Sequence, residues 1–417
     1  MRRPLKWLGD QFWALPLACA LAAAGLALAL GALDRSLSSS PTLPVPLLFA
    51  GGPEGARALL SAIITSMISF TGLVFSITIV VLQLTSSQFS PRVLRTFLRD
   101  RFNQLALGVF VSTFVYGLVV LRSVRGTAQV DPFVPQVSVT ASFAFVLASV
   151  VVFLGYIHHV TQMIRAATII DTIGRETAAL IERRHPSDAA ERPAPVLPGG
   201  PVHRVAAARA GVVQVVDDAA LLRLAEASAT TVVLLRAVGE FVPEGAPLLE
   251  VRGGAAGAGP DAARLRRAVQ LGIERSMDQD VGFGLRQLVD ITERALSPGI
   301  NDPTTAVQAV DQLHDLLRRL STRSLPPRTR TTSDGRLAVV VPQPGFEDLL
   351  GLACEEVHRW AADSDRVRRR LSAMLLDLAD AARPEHRPAV ERARCAWGGA
   401  EVDPGPLGTP ASDTWLR

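Results

Sequence analysis

Six small or polar residues recur at a spacing that would place them on one face of a helix. Five of them lie in residues 58–82, which contain no charged residue over 25 positions, and the sixth follows directly. A helix advances about 100° per residue, so the six side chains fall within an arc of about 80°. Such an arc offers hydrogen bonds to a neighbouring helix or to water and ions. The six residues, called the polar stripe, are Ser61, Thr65, Ser69, Gly72, Ser76 and Gln83.

The polar stripe has two interpretations. In the first, small residues let two helices approach closely, and the hydroxyl groups bond across the contact or back to a carbonyl of their own helix. In the second, the stripe is wetted and lines a pore shared between subunits. The stripe carries no ionisable side chain, which argues against a proton-coupled transporter. Both interpretations remain open at this point.

Four arginines follow the stripe, in a segment that opens with a helix-start signal. Ser90 followed by Pro91 is typical of an N-cap and a first helical residue. Beyond it the arginines alternate with apolar residues at helical spacing, which predicts a short amphipathic helix at the lipid headgroups. If the stripe lines a pore, the same arginines would surround its mouth and favour anions. The four arginines of this basic segment are Arg92, Arg95, Arg99 and Arg101.

A turn in the C-terminal half could hold an anion or simply cap a helix. Asp302 before Pro303 is a strong N-cap signal. Backbone N–H groups and the helix dipole converge at such a turn and attract anions. A plain cap is the favoured interpretation, because no phosphate-binding lysine follows. The residues concerned are Ser297, Gly299, Asn301 and Asp302.

No residue pattern predicts catalysis or a cofactor. The motifs GxSxG, HExxH and GxxxxGK[ST] are absent, and no GxGxxG opens a helix after a strand. Glu355, Glu356 and His358 invite a metal interpretation, but adjacent carboxylates point about 100° apart on a helix and no second cluster has a ligand spacing. For His158 and His159, solvation at the membrane interface is favoured over a metal or proton role. We therefore expect no enzyme, no cofactor and no metal.

Composition and charge exclude further classes. The 43 basic and 39 acidic residues give a net charge of +4, and in the polar part of the chain they are interleaved. No basic and aromatic tract suits a nucleic-acid partner. The three cysteines make no disulfide framework, which indicates a reducing compartment for the polar part.

The polar stripe belongs to the second of four apolar segments that predict membrane spans. A helix of 25 residues extends about 37 Å, and a hydrocarbon core is about 30 Å thick, so residues 58–82 can cross with some tilt. The first segment resembles a signal peptide in its position, but its length favours a retained span. The predicted transmembrane domain is 1–160, with spans at about 12–33, 58–82, 105–121 and 139–157.

Basic residues set the expected orientation. They are most frequent at the N-terminus, in the basic segment and after the fourth span. With four spans these three regions lie on one side, which the positive-inside rule assigns to the cytoplasm. The prediction is a multi-pass protein of the inner membrane with both termini in the cytoplasm.

The remainder of the chain predicts a cytoplasmic α+β region. Residues 161–201 are predicted to form a connecting helix and a Pro-rich linker, and residues 202–252 are predicted to form a small β domain. That domain resembles the β-sandwich of biotinyl and lipoyl carriers, whose shape is barrel-like. A covalent carrier role is excluded, because the only lysine of the chain is Lys6. Residues 261–380 predict a helical domain that begins with a helix over 262–278, and 381–417 predict a variable or disordered tail.

Two stretches resemble a known family. They are VFSITIVVLQLTSSQFSPRVLRTFLRD, which joins the polar stripe to the basic segment, and FGLRQLVDITERALSPGINDPTTA, which contains the turn at Asp302. Both are similar to the hallmark stretches of a bacterial predicted-membrane-protein family known as domain of unknown function 2254. The resemblance covers roughly residues 10–325. It implies a membrane protein, and it implies no reaction, ligand or site residue.

These features leave three classes of function. A homo-oligomeric channel or pore, with the second spans around its axis and a cytoplasmic regulatory domain, is the first hypothesis. A membrane-anchored scaffold or sensor that conducts nothing is the alternative. A lipid-modifying enzyme would need titratable groups within the spans, which the pattern does not offer. The expected partners are the lipid bilayer, further copies of the chain and inorganic ions.

Overall fold

The computed structural model describes residues 13–37, 49–88, 100–127, 130–163, 165–186, 196–253, 261–325 and 328–397. The chain divides into two compact units, Met1–Arg165 and Ala166–Arg417. The first unit is mainly helical and apolar, and the second combines helices with β-sheets.

Four long helices form the first unit, and each is long and apolar enough to cross a membrane. The last three helices include the predicted spans 58–82, 105–121 and 139–157 and extend beyond them, and the first covers residues 14–33 of the predicted span 12–33 and extends to Leu37. A short antiparallel hairpin of β1 (Arg125–Thr127) and β2 (Val130–Phe133), which the sequence did not predict, joins the last two helices. The helices are α1 (Ala14–Leu37), α2 (Pro53–Gln88), α3 (Arg101–Ser123) and α4 (Gln136–Met163).

Helix α3 occupies the middle of the first unit and packs against the other three helices. Its closest neighbour is α1, which presents a buried face of small residues, Ala20, Ala23 and Ala27. On α3, a Cβ added to Gly108 would lie 3.1 Å from the Cys19 sulfur of α1. Small side chains on both helices therefore allow the close backbone approach that is typical of membrane helix pairs.

The strands of the second unit form two open sheets. The five-stranded sheet has the order β3-β7-β5-β10-β9, and the three-stranded sheet has the order β6-β4-β8. Strand β10 runs parallel to β5 and antiparallel to β9. Both sheets contribute to one apolar core, which also includes residues of two short helices. The strands are β3 (Val202–Ala206), β4 (Gly211–Val216), β5 (Thr231–Leu234), β6 (Phe241–Val242), β7 (Pro247–Arg252), β8 (Val269–Gly272), β9 (Arg328–Thr331) and β10 (Leu337–Val341).

The sheets differ from the predicted small β domain in extent and in shape. Residues 202–252 supply only part of the strands, because β8, β9 and β10 come from the predicted helical domain 261–380. Among the described strands none closes a barrel, so the barrel-like shape is not confirmed. Strands β6 and β7 follow each other in the chain but belong to different sheets.

The predicted helix over 262–278 is wrong beyond its first turns. Helix α7 ends at Arg267, and residues 269–272 form strand β8. In β8 the buried Val269 and Leu271 alternate with the exposed Gln270, and the strand pairs with β4. This two-residue period is that of a strand, but four residues are too few to separate it from a helical pattern in sequence.

The described residues of the second unit form eight helices. Helix α5 was predicted as a connector, yet Ile169, Ile173 and Leu180 are buried and the helix packs on α8 and α9. The helices are α5 (Ala166–Arg184), α6 (Asp218–Ala227), α7 (Ala262–Arg267), α8 (Val281–Leu296), α9 (Pro303–Ser321), α10 (Phe346–Trp360), α11 (Asp365–Ala381) and, C-terminal to these, α12 (Arg387–Trp397).

Part of the predicted tail is a helix. Helix α12 lies within residues 381–417 and packs on α10 and α11. Its buried residues Ala389, Val390 and Ala393 share one face of the helix. The alanine content that suggested a variable tail is also typical of a good helix former. Residues 398–417 lie outside the described part of the chain.

Candidate functional site

The polar stripe lies on the outer face of α2. All six of its residues are exposed in the single chain. The residues of α2 that are buried against the rest of the first unit, such as Met67, Val74 and Val81, lie about 180° around the helix from the centre of the stripe. No described residue of the first unit therefore covers the stripe, and large apolar side chains such as Ile68 and Phe75 flank it.

Two of the four hydroxyl groups of the stripe, those of Ser69 and Ser76, bond back to their own helix. Ser69 Oγ donates to the Thr65 carbonyl at 3.2 Å, and Ser76 Oγ donates to the Gly72 carbonyl at 2.9 Å. A hydroxyl satisfied in this way can face lipid, protein or water without the cost of an unpaired polar group. This geometry is compatible with both interpretations of the stripe.

Polar contacts between the membrane helices involve other residues, which the sequence did not single out. Asp34, near the end of α1, accepts hydrogen bonds from the Val137 N–H (2.9 Å), the Ser138 N–H (3.0 Å) and the Ser138 hydroxyl (2.6 Å). It thereby caps the N-terminus of α4 from another helix. The Tyr116 hydroxyl of α3 donates to the Ser138 carbonyl at 2.9 Å. Asp34 is 6% exposed.

Two hydroxyl pairs and one charged pair follow along α4. The hydroxyls of Thr113 and Ser149 are 2.8 Å apart, and those of Thr78 and Tyr156 are 2.7 Å apart. At the far end His159 Nε2 lies 3.1 Å from Asp100 Oδ1, and the same oxygen caps α3 by accepting from the Asn103 N–H. His159 is thus paired with a carboxylate in addition to lying at a helix end.

These polar pairs do not join into a path through the first unit. Ser138, Ser149 and Tyr156 are separated by 11 and 7 residues of α4, which correspond to about 16 and 10 Å along the helix axis. A hydrogen-bonded chain needs steps of about 3 Å. The pairs therefore act as isolated contacts that hold the helices together.

Most of the basic segment lies outside the described residues, including Arg92, Arg95 and Arg99. Arg101 is described. It is the first residue of α3 and is exposed.

The turn at residues 297–302 is a helix cap in the structure. Asp302 is the N-cap of α9, and its Oδ1 accepts from the N–H groups of Thr304 and Thr305, both at 3.1 Å. Its Oδ2 accepts from the Thr305 hydroxyl at 2.6 Å. These bonds lower the pKa of Asp302. Because the Asp302 carboxylate already takes the N–H groups that an anion would need, the geometry favours the cap over the anion site. Ser297, Gly299 and Asn301 form the exposed turn before it, and Asn301 has a φ of 47°.

The two carboxylates that invited a metal interpretation pair with arginines: Glu355 with Arg359 at 3.1 Å, and Glu356 with Arg286. Arg286 of α8 pairs with Asp290 at 2.7 Å, with Glu293 at 3.7 Å and with Glu356 of α10. Burial and the neighbouring Glu356 carboxyl raise the pKa of Glu293 to about 7. Within the described ranges, no group of three or more His, Cys, Asp or Glu side chains is arranged to hold a metal ion.

A cleft in the second unit was not indicated by the sequence. Its outer part has a volume of about 420 Å³, and a narrow inner recess has about 30 Å³. Arg275 and Asp280 pair in the outer part through two hydrogen bonds of 2.8 and 2.9 Å. Residues lining both parts are Val238, Asp280, Pro342, Gln343, Pro344 and Leu349. They come from segments more than 100 residues apart, so no local pattern could have found the cleft.

Comparison with known proteins assigns the family. A family model described as "Predicted membrane protein (DUF2254)" matches residues 9–377. The chain belongs to this family. The match confirms the resemblance of the two hallmark stretches and extends it to α11.

Relatives within bacteria support the same assignment. The chain is similar to proteins of Mycobacterium bovis and Mycobacterium tuberculosis strain H37Rv, each described as an uncharacterized protein. Each is 37% identical over 401 residues, which cover 93% of this chain and 75% of the relative. No solved structure matches the chain significantly.

Proposed function

We propose that this DUF2254 protein is a homo-oligomeric pore of the bacterial inner membrane, with the α2 helices around its axis. The supporting observation is the position of the polar stripe, which is exposed and lies opposite the face of α2 that packs on the described helices of the first unit. A face built from small and hydroxylated residues opposite the packing face suits contact with other copies around an aqueous axis. In this proposal both termini and the second unit are cytoplasmic, and the second unit regulates the pore.

The proposed pore has an apolar constriction. Ile79 falls on the same arc as the stripe, between Ser76 and Gln83, and is 49% exposed. A ring of isoleucines in an otherwise polar wall would form a gate that closes by losing its water. The arginines of the basic segment would stand near the cytoplasmic mouth beyond it, so we expect anions to pass more readily than cations.

Thiol labelling tests whether the stripe is wetted. Cysteines at Thr65, Ser69 and Ser76 are expected to react with a water-soluble thiol reagent, in a background from which Cys19, Cys354 and Cys395 have been removed. Leu73 and Phe75 provide matched controls, because they are 49% and 52% exposed in the chain but lie about 80° on either side of the stripe's centre. Cysteines at these two positions should react poorly. Equal reactivity on all faces, or none on the stripe, would contradict a pore.

Conductance in reconstituted bilayers tests the pore directly. Ser69→Leu should block it, because the added side chain would project into the axis, and Ile79→Ser should increase it by wetting the constriction. Both side chains are exposed in the single chain, so neither change disturbs packing within it. The oligomer should survive both changes.

A membrane-anchored scaffold or sensor is the second candidate. It is favoured by the back-bonding of Ser69 and Ser76, since hydroxyls satisfied by their own helix require no water. In that case the stripe is a packing surface, Ser69→Leu dissociates the oligomer, and wild-type protein carries no current.

A further inference from the structure

The inner recess of the cleft in the second unit concentrates positive charge. Arg184 at the end of α5, His185 after it and Arg328 of β9 all line this recess. The charges that act on the Arg184 guanidinium are those of three other arginines and one acid, Asp218. Burial and the neighbouring arginines lower the pKa of both Arg184 and Arg328, although Asp218 acts in the opposite direction. The recess therefore holds more positive charge than its surroundings compensate.

The hydrogen-bonding capacity of these arginines is also unused. Arg328 Nη2 lies 3.0 Å from Asp218 Oδ1, but neither Nη2 nor Nε of Arg328 donates a hydrogen bond within the part of the chain that the structure describes. Asp218 is shared, since Arg330 Nη2 is 3.8 Å from its other oxygen. Among the described residues, no hydrogen bond or ion pair of the Arg184 guanidinium is formed. Buried donors without acceptors cost free energy, which an anionic ligand would recover.

Other half-buried arginines of the second unit are paired. Arg323 donates to Glu182 at 2.6 Å and to the His185 carbonyl at 2.9 Å. Arg275 is matched by Asp280, which also accepts from the Phe283 N–H at 3.0 Å. Asp280 therefore does not compensate the charge of the recess, although it lines it. Arg184 and Arg328 differ from these structural arginines in lining the inner recess.

The outer part of the cleft combines apolar residues with the charged residues Glu240, Arg275, Asp280 and Asp348. Its wall contains two prolines, Pro342 and Pro344, and the wide end is open to solvent. An apolar wall suits the uncharged body of a ligand, while a small recess with convergent donors suits one charged group. The remaining apolar residues of the wall are Ala237, Val238, Leu349 and Leu352.

We propose that this cleft binds a phosphomonoester with an apolar body, its phosphoryl group held by Arg184 and Arg328 in the recess and its body in the outer part. Guanidinium groups bind phosphoryl oxygens through paired, charge-assisted hydrogen bonds. A phosphomonoester carries one ester substituent, so its phosphoryl group fits a narrow recess better than that of a diester, whose two substituents extend in two directions. The ligand is either a soluble metabolite or a phosphomonoester lipid. The proposal is independent of whether the protein conducts ions.

Calorimetric titration of the detergent-purified full chain tests the site. The probes are phenyl phosphate, inorganic phosphate, the methyl ester of phenyl phosphate, and short-chain phosphatidic acid. Phenyl phosphate should bind at least about tenfold more tightly than inorganic phosphate or the diester, since only it uses both parts of the cleft. Tighter binding of phosphatidic acid than of phenyl phosphate would assign a lipid source, and the reverse a soluble one. Absence of binding by any probe up to about 10 mM would overturn the proposal.

Variants locate the binding. Arg328→Gln and Arg184→Gln should each weaken phenyl phosphate binding about tenfold or more, because each removes a charge-assisted contact. Arg330→Gln is the matched control: it is an arginine of the same strand, its side chain is 57% exposed, and it does not line the cleft. It should change affinity by about twofold at most. If Arg328→Gln does not fold, the phenyl phosphate affinity of Arg184→Gln alone tests the proposal. Unchanged affinity in either folded variant, or an equal loss in Arg330→Gln, would contradict the proposal.

Discussion

In the second unit, burial and neighbouring charges shift the pKa values of individual side chains. His185 is 7% exposed and lies near Arg184, Arg323 and Arg328, so burial and these arginines lower its pKa to about 4. Glu293 is shifted in the opposite sense, to about 7, by burial and by Glu356. Neither shift follows from the sequence, because each depends on side chains from other segments.

The lowered pKa of His185 predicts a loss of stability in acid. The unfolded chain binds the proton at about pH 6.5 and the folded chain only at about pH 4, so stability should fall as the pH is lowered between these values. The shift corresponds to about 3 kcal/mol at most. In His185→Gln this part of the pH dependence should be absent, as measured by denaturant unfolding at pH 7.5 and pH 5. The raised pKa of Glu293 makes the folded state more stable as the pH falls over the same range. The pH dependence of stability in His185→Gln must therefore be compared directly with that of the wild type. Parallel pH profiles would refute the assignment.

At the scale of elements, local signals predicted the helices and missed contacts between distant segments. Asp302 before Pro303 indicated the start of α9, because an N-cap is a property of adjacent residues. Strand β8 is four residues long and becomes recognisable only through its pairing with β4. The cap that Asp34 provides for α4 joins residues 104 positions apart. No local pattern specifies such a contact.

The cap from Asp34 predicts a measurable contribution to the first unit. Asp34→Ala should destabilise it by roughly 1–2 kcal/mol, because two N–H groups at the start of α4 and the Ser138 hydroxyl lose their acceptor. Asp34→Asn retains one acceptor oxygen and should have an intermediate effect. Unfolding of the purified protein in mixed micelles with increasing SDS measures both. If Asp34→Ala unfolds at the same SDS concentration as the wild type, water has replaced the carboxylate as the hydrogen-bond acceptor and the predicted contribution is absent.

At the scale of the whole molecule, composition was enough to separate the two units. Apolar segments of sufficient length predicted four membrane helices, because crossing a bilayer demands length and hydrophobicity more than any specific contact. The arrangement of the second unit could not be derived in the same way. Its central sheet unites strands from residues 202–252 with strands from residues 328–341, and its cleft forms only when these meet.

The predicted orientation is testable without knowledge of the function. Reporters that are active only in the cytoplasm should work at both termini, because the three most basic regions lie on the same side as the termini. Cysteine labels at Ser39, which lies outside the described residues, and at Thr127 should react from the periplasmic side. A C-terminus on that side would mean that one of the four helices does not cross.

The place of β10 within the five-stranded sheet has a consequence for synthesis on the ribosome. Strand β10 lies between β5 and β9, yet it is translated about 100 residues after β5. Until then β3, β7 and β5 expose the unpaired edge of β5, whose residues Thr231–Leu234 are all buried in the finished sheet. Such an edge invites pairing with other nascent chains. Translation that stops before Val341 should therefore yield an aggregating product rather than a smaller folded unit.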